Sequence, residues 1–286
     1  MKTTLIIRNL LERFGITLRF KSTILGLTPI GDVALILWSF KPSNYGTVLV
    51  RAGDDGDGGY LVPNDFHGIT SCFSPGSNQL CTFEDFLGEN YNIKSYICDS
   101  IDQKPKSISP FLTFTDAWLG PATEGKYLSL ADWISNSNLK DDGDLILQID
   151  IEGAEYLALL ATPISTLNKF RIIVIEFHSL ESLKNRWAFE LIYKPLFEKL
   201  NKSFDVVHSH PNNCCGTWSY GDMEFPQLLE VTYHRKDRRI HESISVETPH
   251  ALDSKCVKDN KEIQIDWRPI EAEVKKFKFS GGGGGI

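Results

Sequence analysis

Three pairs of chemically competent residues stand two positions apart in this chain: Asp150 with Glu152, Glu176 with His178, and His208 with His210. Residues at i and i+2 share one face of an extended strand, so each pair presents two titratable groups together. Carboxylate and imidazole in combination suit a general base with its orienting partner, or a divalent cation such as Mg2+ or Mn2+. On this reading Asp150, His178 and His210 are the catalytic candidates, and Asp150, Glu176 and His210 the metal candidates. A structural alternative stands beside it. Asp150 and Glu155 favour a helix N-terminus electrostatically, and histidines also serve as hydrogen-bonded framework residues.

A second set of positions has a different character. Pro75-Gly76-Ser77-Asn78 is a small-residue turn that lets backbone groups approach a ligand. Asp99 ends a strand-like run, where a carboxylate can accept both hydroxyl hydrogens of a ribose. The turn lacks a full G-x-G-x-x-G, so a pyrophosphate is poorly provided for and a phosphate-free nucleoside cofactor such as S-adenosylmethionine is the better match. A plain turn and a solvated strand end would use the same residues. The segment His208-Ser-His-Pro-Asn-Asn-Cys-Cys215 brings to mind zinc, but its spacing fits no common finger, and adjacent cysteines point apart on an extended chain. Asn212 and Asn213 offer paired amides for a sugar or amino-acid group, or simply form a turn. Together with Glu152 and Trp218 they are the candidates for holding an acceptor.

The elements that must position these residues follow from periodicity. Short β-rich runs at 69–74, 93–98, 111–114, 144–149, 171–177 and 204–210 alternate with helical stretches, the pattern of parallel strands joined by crossover helices. Ser129 is a good N-cap for one helix, and an amphipathic run at 183–200 reads as a long helix despite Pro195. A seventh run, 228–235, returns as an antiparallel strand at the sheet edge. The expected class is α/β: a Rossmann-like, doubly wound, mostly parallel sheet over 48–240, with an N-terminal helical extension (1–47) and a C-terminal extension (241–286) ending in a glycine-rich tail. Ligands of such sheets bind beyond the carboxyl ends of the strands, where strand order reverses, and the titratable pairs and the glycine turn fall at such ends.

Composition narrows the partners. A formal net charge of −7 argues against coating a nucleic-acid backbone, and a neutral or hydroxylated small-molecule substrate fits better. Six cysteines form no C-x-x-C pair, and several lie in apolar runs, which reads as a reducing, cytoplasmic setting. Arg8, Arg13, Arg19 and Lys21 break any secretory leader. Residues 22–40 are apolar enough to raise membrane association, but Pro29, Gly31 and Asp32 interrupt them.

Several segments together resemble a known family. Leu147-Gln-Ile-Asp150-Ile-Glu-Gly-Ala-Glu155 resembles the K-I-D-x-E-G-x-E signature of FkbM-like methyltransferases, with Gln148 where lysine is usual, and Ile173-Val-Ile-Glu176 resembles their next strand. Arg51 with Asp57-Gly-Gly-Tyr60, Ser74-Pro-Gly-Ser77 with Thr82-Phe-Glu84, and His210-Pro-Asn-Asn213 with Leu229-Glu230 are similar to a related methyltransferase-like branch. The resemblance spans about 48–235. It implies S-adenosylmethionine bound in a Rossmann-like domain and O-methylation of sugars or secondary metabolites. Carried over, Gly76, Ser77 and Asn78 would meet the methionine end, Glu84 its ammonium or the loop, Asp99 and Ser100 the ribose, and Asp150 the reacting centre. RAGDDGDGGY (51–60) fits neither an EF-hand nor a P-loop, and the resemblance makes it a flap beside the crevice, with Asp57 and Tyr60 its working residues. Two other readings remain: a glycan- or partner-binding protein on this fold, and a metal-dependent hydrolase.

Overall fold

The structure is a computed structural model that describes residues 26–76, 79–106, 109–139 and 143–279. Residues 1–25, Ser77, Asn78 and the glycine tail lie outside the described residues.

All seven expected runs are strands of one sheet: β1 (Ile69–Pro75), β2 (Lys94–Asp99), β3 (Leu112–Asp116), β4 (Asp144–Ile149), β5 (Phe170–Phe177), β6 (Phe204–Pro211) and β7 (Leu229–Arg235). Their order is β6-β7-β5-β4-β1-β2-β3. Pairings among β1 to β5 are parallel, whereas β7 runs antiparallel to both of its neighbours. The class is α/β and Rossmann-like. Strand order reverses at β1, which has β2 on one side and β4 on the other.

Two expectations need correction. The reversed strand is not at the edge but lies between β5 and β6, with both rows of backbone groups hydrogen-bonded. Six of its seven residues are buried, as an internal strand requires, and β6 takes the edge. The helix expected over 183–200 starts later and is irregular. Helical backbone runs without a gap over 186–203, and Pro195, which has no N–H to give, is accommodated by a widened π-type turn over Phe189–Tyr193 before the last α-helical stretch (Lys194–Ser203).

Labelled in chain order, the helices that matter are α1 (Ile30–Ser39), α2 (Thr82–Tyr91), α3 (Leu130–Asn136), α4 (Glu155–Ala161), α5 (Lys194–Ser203) and α6 (Trp267–Phe279). Ser129 caps α3 as expected, its hydroxyl accepting from the Asp132 N–H at 3.2 Å. Leu147, Ile149, Ile173, Ile175 and Tyr233 form one face of the sheet and pack in a single core with α1, α4, α5 and α6. The helix α6 was not expected, although Ile270 and Val274 stand one turn apart and are its buried residues. Among the described residues no helix is long and apolar enough to cross a membrane. Val33, Ala34, Ile36 and Leu37 of α1 are buried in the core instead.

The opposite face carries Cys72, Ile146, Ile172 and Val174, covered by α2 and by an antiparallel hairpin, Leu49–Ala52 with Tyr60–Pro63. The glycine-rich stretch is the turn of this hairpin. Arg51 organises it, donating from Nε to Asp54 O (2.9 Å) and from Nη2 to Gly56 O (3.0 Å).

Where β1 and β4 part, Gly76 adopts φ +79° and lies so close to Asp150 that a Cβ would sit 1.6 Å from the Asp150 carbonyl oxygen. No rotamer relieves a clash with backbone. Gly76→Ala is therefore expected to lose roughly 3 kcal/mol or more of stability, combining left-handed strain with displacement of Asp150. Urea denaturation measures this, and a loss below about 1 kcal/mol would show that the two loops are not rigidly packed.

Candidate active site

Register across the reversed strand builds the centre of the site. Glu176 on β5 pairs with Glu230 on β7, and Glu230 pairs with His210 on β6. All three side chains therefore form one row on the hairpin-covered face, and each is at most 5% exposed. Farther along the same sheet end stand Gln148 on β4 and Ser74 on β1, the polar members of otherwise apolar neighbourhoods. Like carboxylates opposite one another repel, and burial penalises each charge. Burial, then the charges of Asp150 and Glu230, hold the Glu176 carboxyl well above the usual carboxylate range. Asp150 is pushed up to about 7 by burial first, with Glu152 and Asp57 adding and the His178 charge opposing.

The D-x-E-G-x-E element acts through its turn. β4 stops at Ile149, so Asp150 and Glu152 do not share a strand face. Glu152 adopts φ +55°, and its side chain is 88% exposed. Glu155 is fully buried: it accepts from the Gly153 N–H at 2.8 Å and from the His178 N–H at 2.9 Å. Tyr156 donates its hydroxyl to His178 O at 2.6 Å. His178 is thus held from behind, and its Nε2 faces Asp150 Oδ1 (3.6 Å) and Glu152 Oε2 (3.4 Å). Burial opposes charging this imidazole, but Glu155, Asp150 and Glu152 outweigh it and raise the pKa.

A buried chain of hydrogen bonds links α2 to the hairpin. Ser74 Oγ meets Glu84 and lies 2.6 Å from Gln148 Oε1, and Gln148 Nε2 donates to the Tyr60 hydroxyl at 3.1 Å. One serine proton cannot serve two acceptors. Burial raises the Glu84 pKa, the direction that favours a proton between Glu84 and Ser74. Glu84 is 3% exposed, meets Ser74 and lines the space under the hairpin.

Two cavities meet here. The larger, about 560 Å³, runs from Asp99, Trp118 and Tyr127 to Asp150 and Glu152. The smaller, about 40 Å³, lies under the hairpin between Tyr60, Gln148 and Glu84. Asp57, Gly76 and Asp150 line both and mark the junction. Asp99 sits in the larger cavity, and one of its oxygens accepts from the Ser100 N–H at 2.6 Å. Gly76 contributes room rather than a donor, because its N–H is given to Cys98 O at 3.1 Å. Pro75 is buried at the strand end. Trp118 and Tyr127, with ring centroids 5.7 Å apart, were not anticipated; their signal in the sequence was only that of aromatic residues near a strand end.

The remaining candidates serve the framework. Asp150 and Glu176 come together with His178, not with His210, whose neighbours are Glu230 and Cys256. Both ring nitrogens of His210 are occupied, Nδ1 by Glu230 at 3.2 Å and Nε2 by Glu262 at 3.0 Å. Burial lowers its pKa, but these carboxylates with Asp253 lift it to about 9. Asn212 donates to Glu176 Oε1 at 2.8 Å. Asn213 is bound to Val257 and Asn260 of the C-terminal segment, where His208 also finds Asp253 at 2.8 Å. Trp218 is corrected outright: it is 7% exposed, and its indole donates to Pro226 O at 3.0 Å. Glu230 was visible as a lone acid in an apolar strand, but Asp253, Cys256 and Glu262 had no periodic signal to mark them.

No protein-family model and no curated protein matches the chain. Solved structures match parts of it. Thermoplasma acidophilum 1320 is 11% identical over 59% of this chain and 80% of its own, with a TM-score of 0.33. Precorrin-6y C5,15-methyltransferase from Geobacter metallireducens GS-15 is 12% identical over 59% and 82%, with a TM-score of 0.34. A mutant of MtNAS in complex with S-adenosylmethionine is 10% identical over 59% and 55%, with a TM-score of 0.28. Likeness this distant carries no assignment of residues.

The raised carboxyl groups dictate a pH dependence. A carboxyl whose folded pKa exceeds its unfolded value stabilises the fold fully below the unfolded value and loses that contribution as pH rises through the folded one, about 7 for Asp150. Urea midpoints should therefore fall between about pH 5 and about pH 8 in the native chain, and fall less in Asp150→Asn. An equal slope in both proteins would place the protons elsewhere.

Proposed function

We propose that the protein is an S-adenosylmethionine-dependent O-methyltransferase acting on a hydroxyl of a sugar, glycan or small metabolite. The observation that carries this reading is the larger cavity. It lies at the switch point of the sheet, its volume is that of a small-molecule site, and it joins a ribose-type acid at one end to a titratable cluster at the other. The resemblance of the segments around Asp57, Gly76 and Asp150 to methyltransferase-like domains supports it.

The chain's residues divide the work. Asp99 has a carboxylate oxygen for ribose hydroxyls, and Trp118 and Tyr127 offer ring faces to a purine. The small polar chamber beneath Asp57 and Tyr60 suits the amino-acid end. The cofactor supplies an electrophilic methyl on sulfur, and an acceptor oxygen must approach it in line. Asp150 takes the hydroxyl proton: its pKa of about 7 matches that of an effective base near neutral pH. His178, held by Glu155, stands beside it, and the surrounding acids raise its pKa.

The same residues fit a divalent cation. Asp57, Glu176 and Glu230 form one group of converging ligand atoms and Asp150, Glu176 and His178 another, while Asp150 Oδ1 is buried without a hydrogen-bond partner. Such an ion would lower the pKa of an acceptor hydroxyl.

Titration calorimetry with S-adenosylmethionine tests the reading. Binding is expected in the native chain, about tenfold weaker or worse in Asp99→Ala, and retained in Asp150→Asn, which should lose on the order of 100-fold or more in methyl transfer. Absence of heat in the native chain would overturn the reading. Activity unchanged after exhaustive EDTA treatment would leave Asp150 acting without an ion.

A further inference from the structure

We propose that Cys214 and Cys215 form a reversible dithiol–disulfide site, which exchanges with small thiols and transmits its state to Glu176 through Asn212. The two adjacent cysteines are bonded to each other, both are exposed, and they lie on the loop that leaves β6. The chain turns here instead of extending, which is how neighbouring sulfurs that would point apart on a strand come to meet.

The pairing has no structural task. Chain-entropy stabilisation grows with the length of the loop that a disulfide closes, and a bridge between adjacent residues closes none. Exposure admits an attacking thiolate, and exposed disulfides are the exchangeable ones. Cys72, Cys81 and Cys98 are buried, and among the described residues neither Cys214 nor Cys215 belongs to a group with metal-ligand geometry. What remains is thiol chemistry. Two equivalents of an external thiol supply two electrons and two protons. The Cys214–Cys215 bond breaks, two cysteine thiols form, and the reductant leaves as its own disulfide.

The route to the carboxylate cluster is short. The Cys214 N–H donates to Asn212 Oδ1 at 3.0 Å, which turns the amide so that Asn212 Nδ2 donates to Glu176 Oε1 at 2.8 Å. The chain on the N-terminal side is held, with Asn212 N–H bonded to Leu228 O at 3.2 Å and the Asn213 side chain bonded to Val257 and Asn260. Opening the ring therefore frees the Cys214 peptide selectively, and with it the group that orients the Asn212 amide.

The test uses the full chain and needs no substrate. After treatment with oxidised glutathione, iodoacetamide should leave Cys214 and Cys215 unlabelled in peptide maps. After dithiothreitol both should be labelled, and reoxidation should reverse this. The side-chain amide resonances of Asn212 should shift on reduction in the native chain and stay fixed in the Cys214→Ser/Cys215→Ser double variant. Full labelling despite oxidised glutathione would overturn the site. Asn212 resonances indifferent to reduction would overturn its connection to Glu176.

Discussion

Two carboxyl groups, Glu176 and Glu230, face each other on neighbouring strands with water largely excluded, and much of the surrounding structure answers that conflict. Their juxtaposition is unavoidable once β7 enters the sheet reversed, because the ladder hydrogen bonds fix the register. The repulsion is relieved from every side. Glu176 has its pKa held well above the usual carboxylate range and receives the Asn212 amide, while Glu230 faces the positive His210 and the Cys256 thiol at 3.2 Å. Each neighbour looks ordinary alone. Together they form a group in which no charge can be changed without altering the proton affinity of the next.

The same cluster joins the two halves of the cleft. On one side, Gly76 packs its missing side chain against the Asp150 carbonyl, so the turn after β1 and the turn after β4 cannot move independently. On the other, the hairpin organised by Arg51 brings Asp57 and Tyr60 over the same junction. Packed interiors shift between discrete arrangements and do not deform smoothly. A ligand that enters the larger cavity therefore acts on the same rigid unit as a proton that enters the cluster.

Much of the fold was legible because its signals are local. Apolar runs such as Arg171–Phe177 bounded by polar residues read as strands, and Ser129 with Asp132 reads as a cap. Placing β7 was beyond local pattern, since an internal antiparallel strand and an edge strand share the same alternation and differ only in what lies beside them. A polar residue that interrupts an apolar strand gives a local signal, as Glu176 does. The site was misread where position depends on partners distant in the chain. His210 and Asn213 carry the chemistry of a cleft, but their hydrogen bonds are taken by Glu262, Val257 and Asn260, in a segment without helical or strand periodicity. Trp218 was misread because an aromatic residue in a loop segment resembles a binding surface until its indole N–H is found to be satisfied indoors.

The C-terminal segment has a temporal consequence. Asp253, Cys256 and Glu262 are the partners of His208, Glu230 and His210, and all three are translated after every strand of the sheet. A nascent chain emerging from the ribosome can pair its seven strands while the row on β6 and β7 still lacks these partners. The row is thus completed only once the segment carrying Asp253, Cys256 and Glu262 has been translated, and the sheet without it presents half-matched charges where the folded chain presents paired ones.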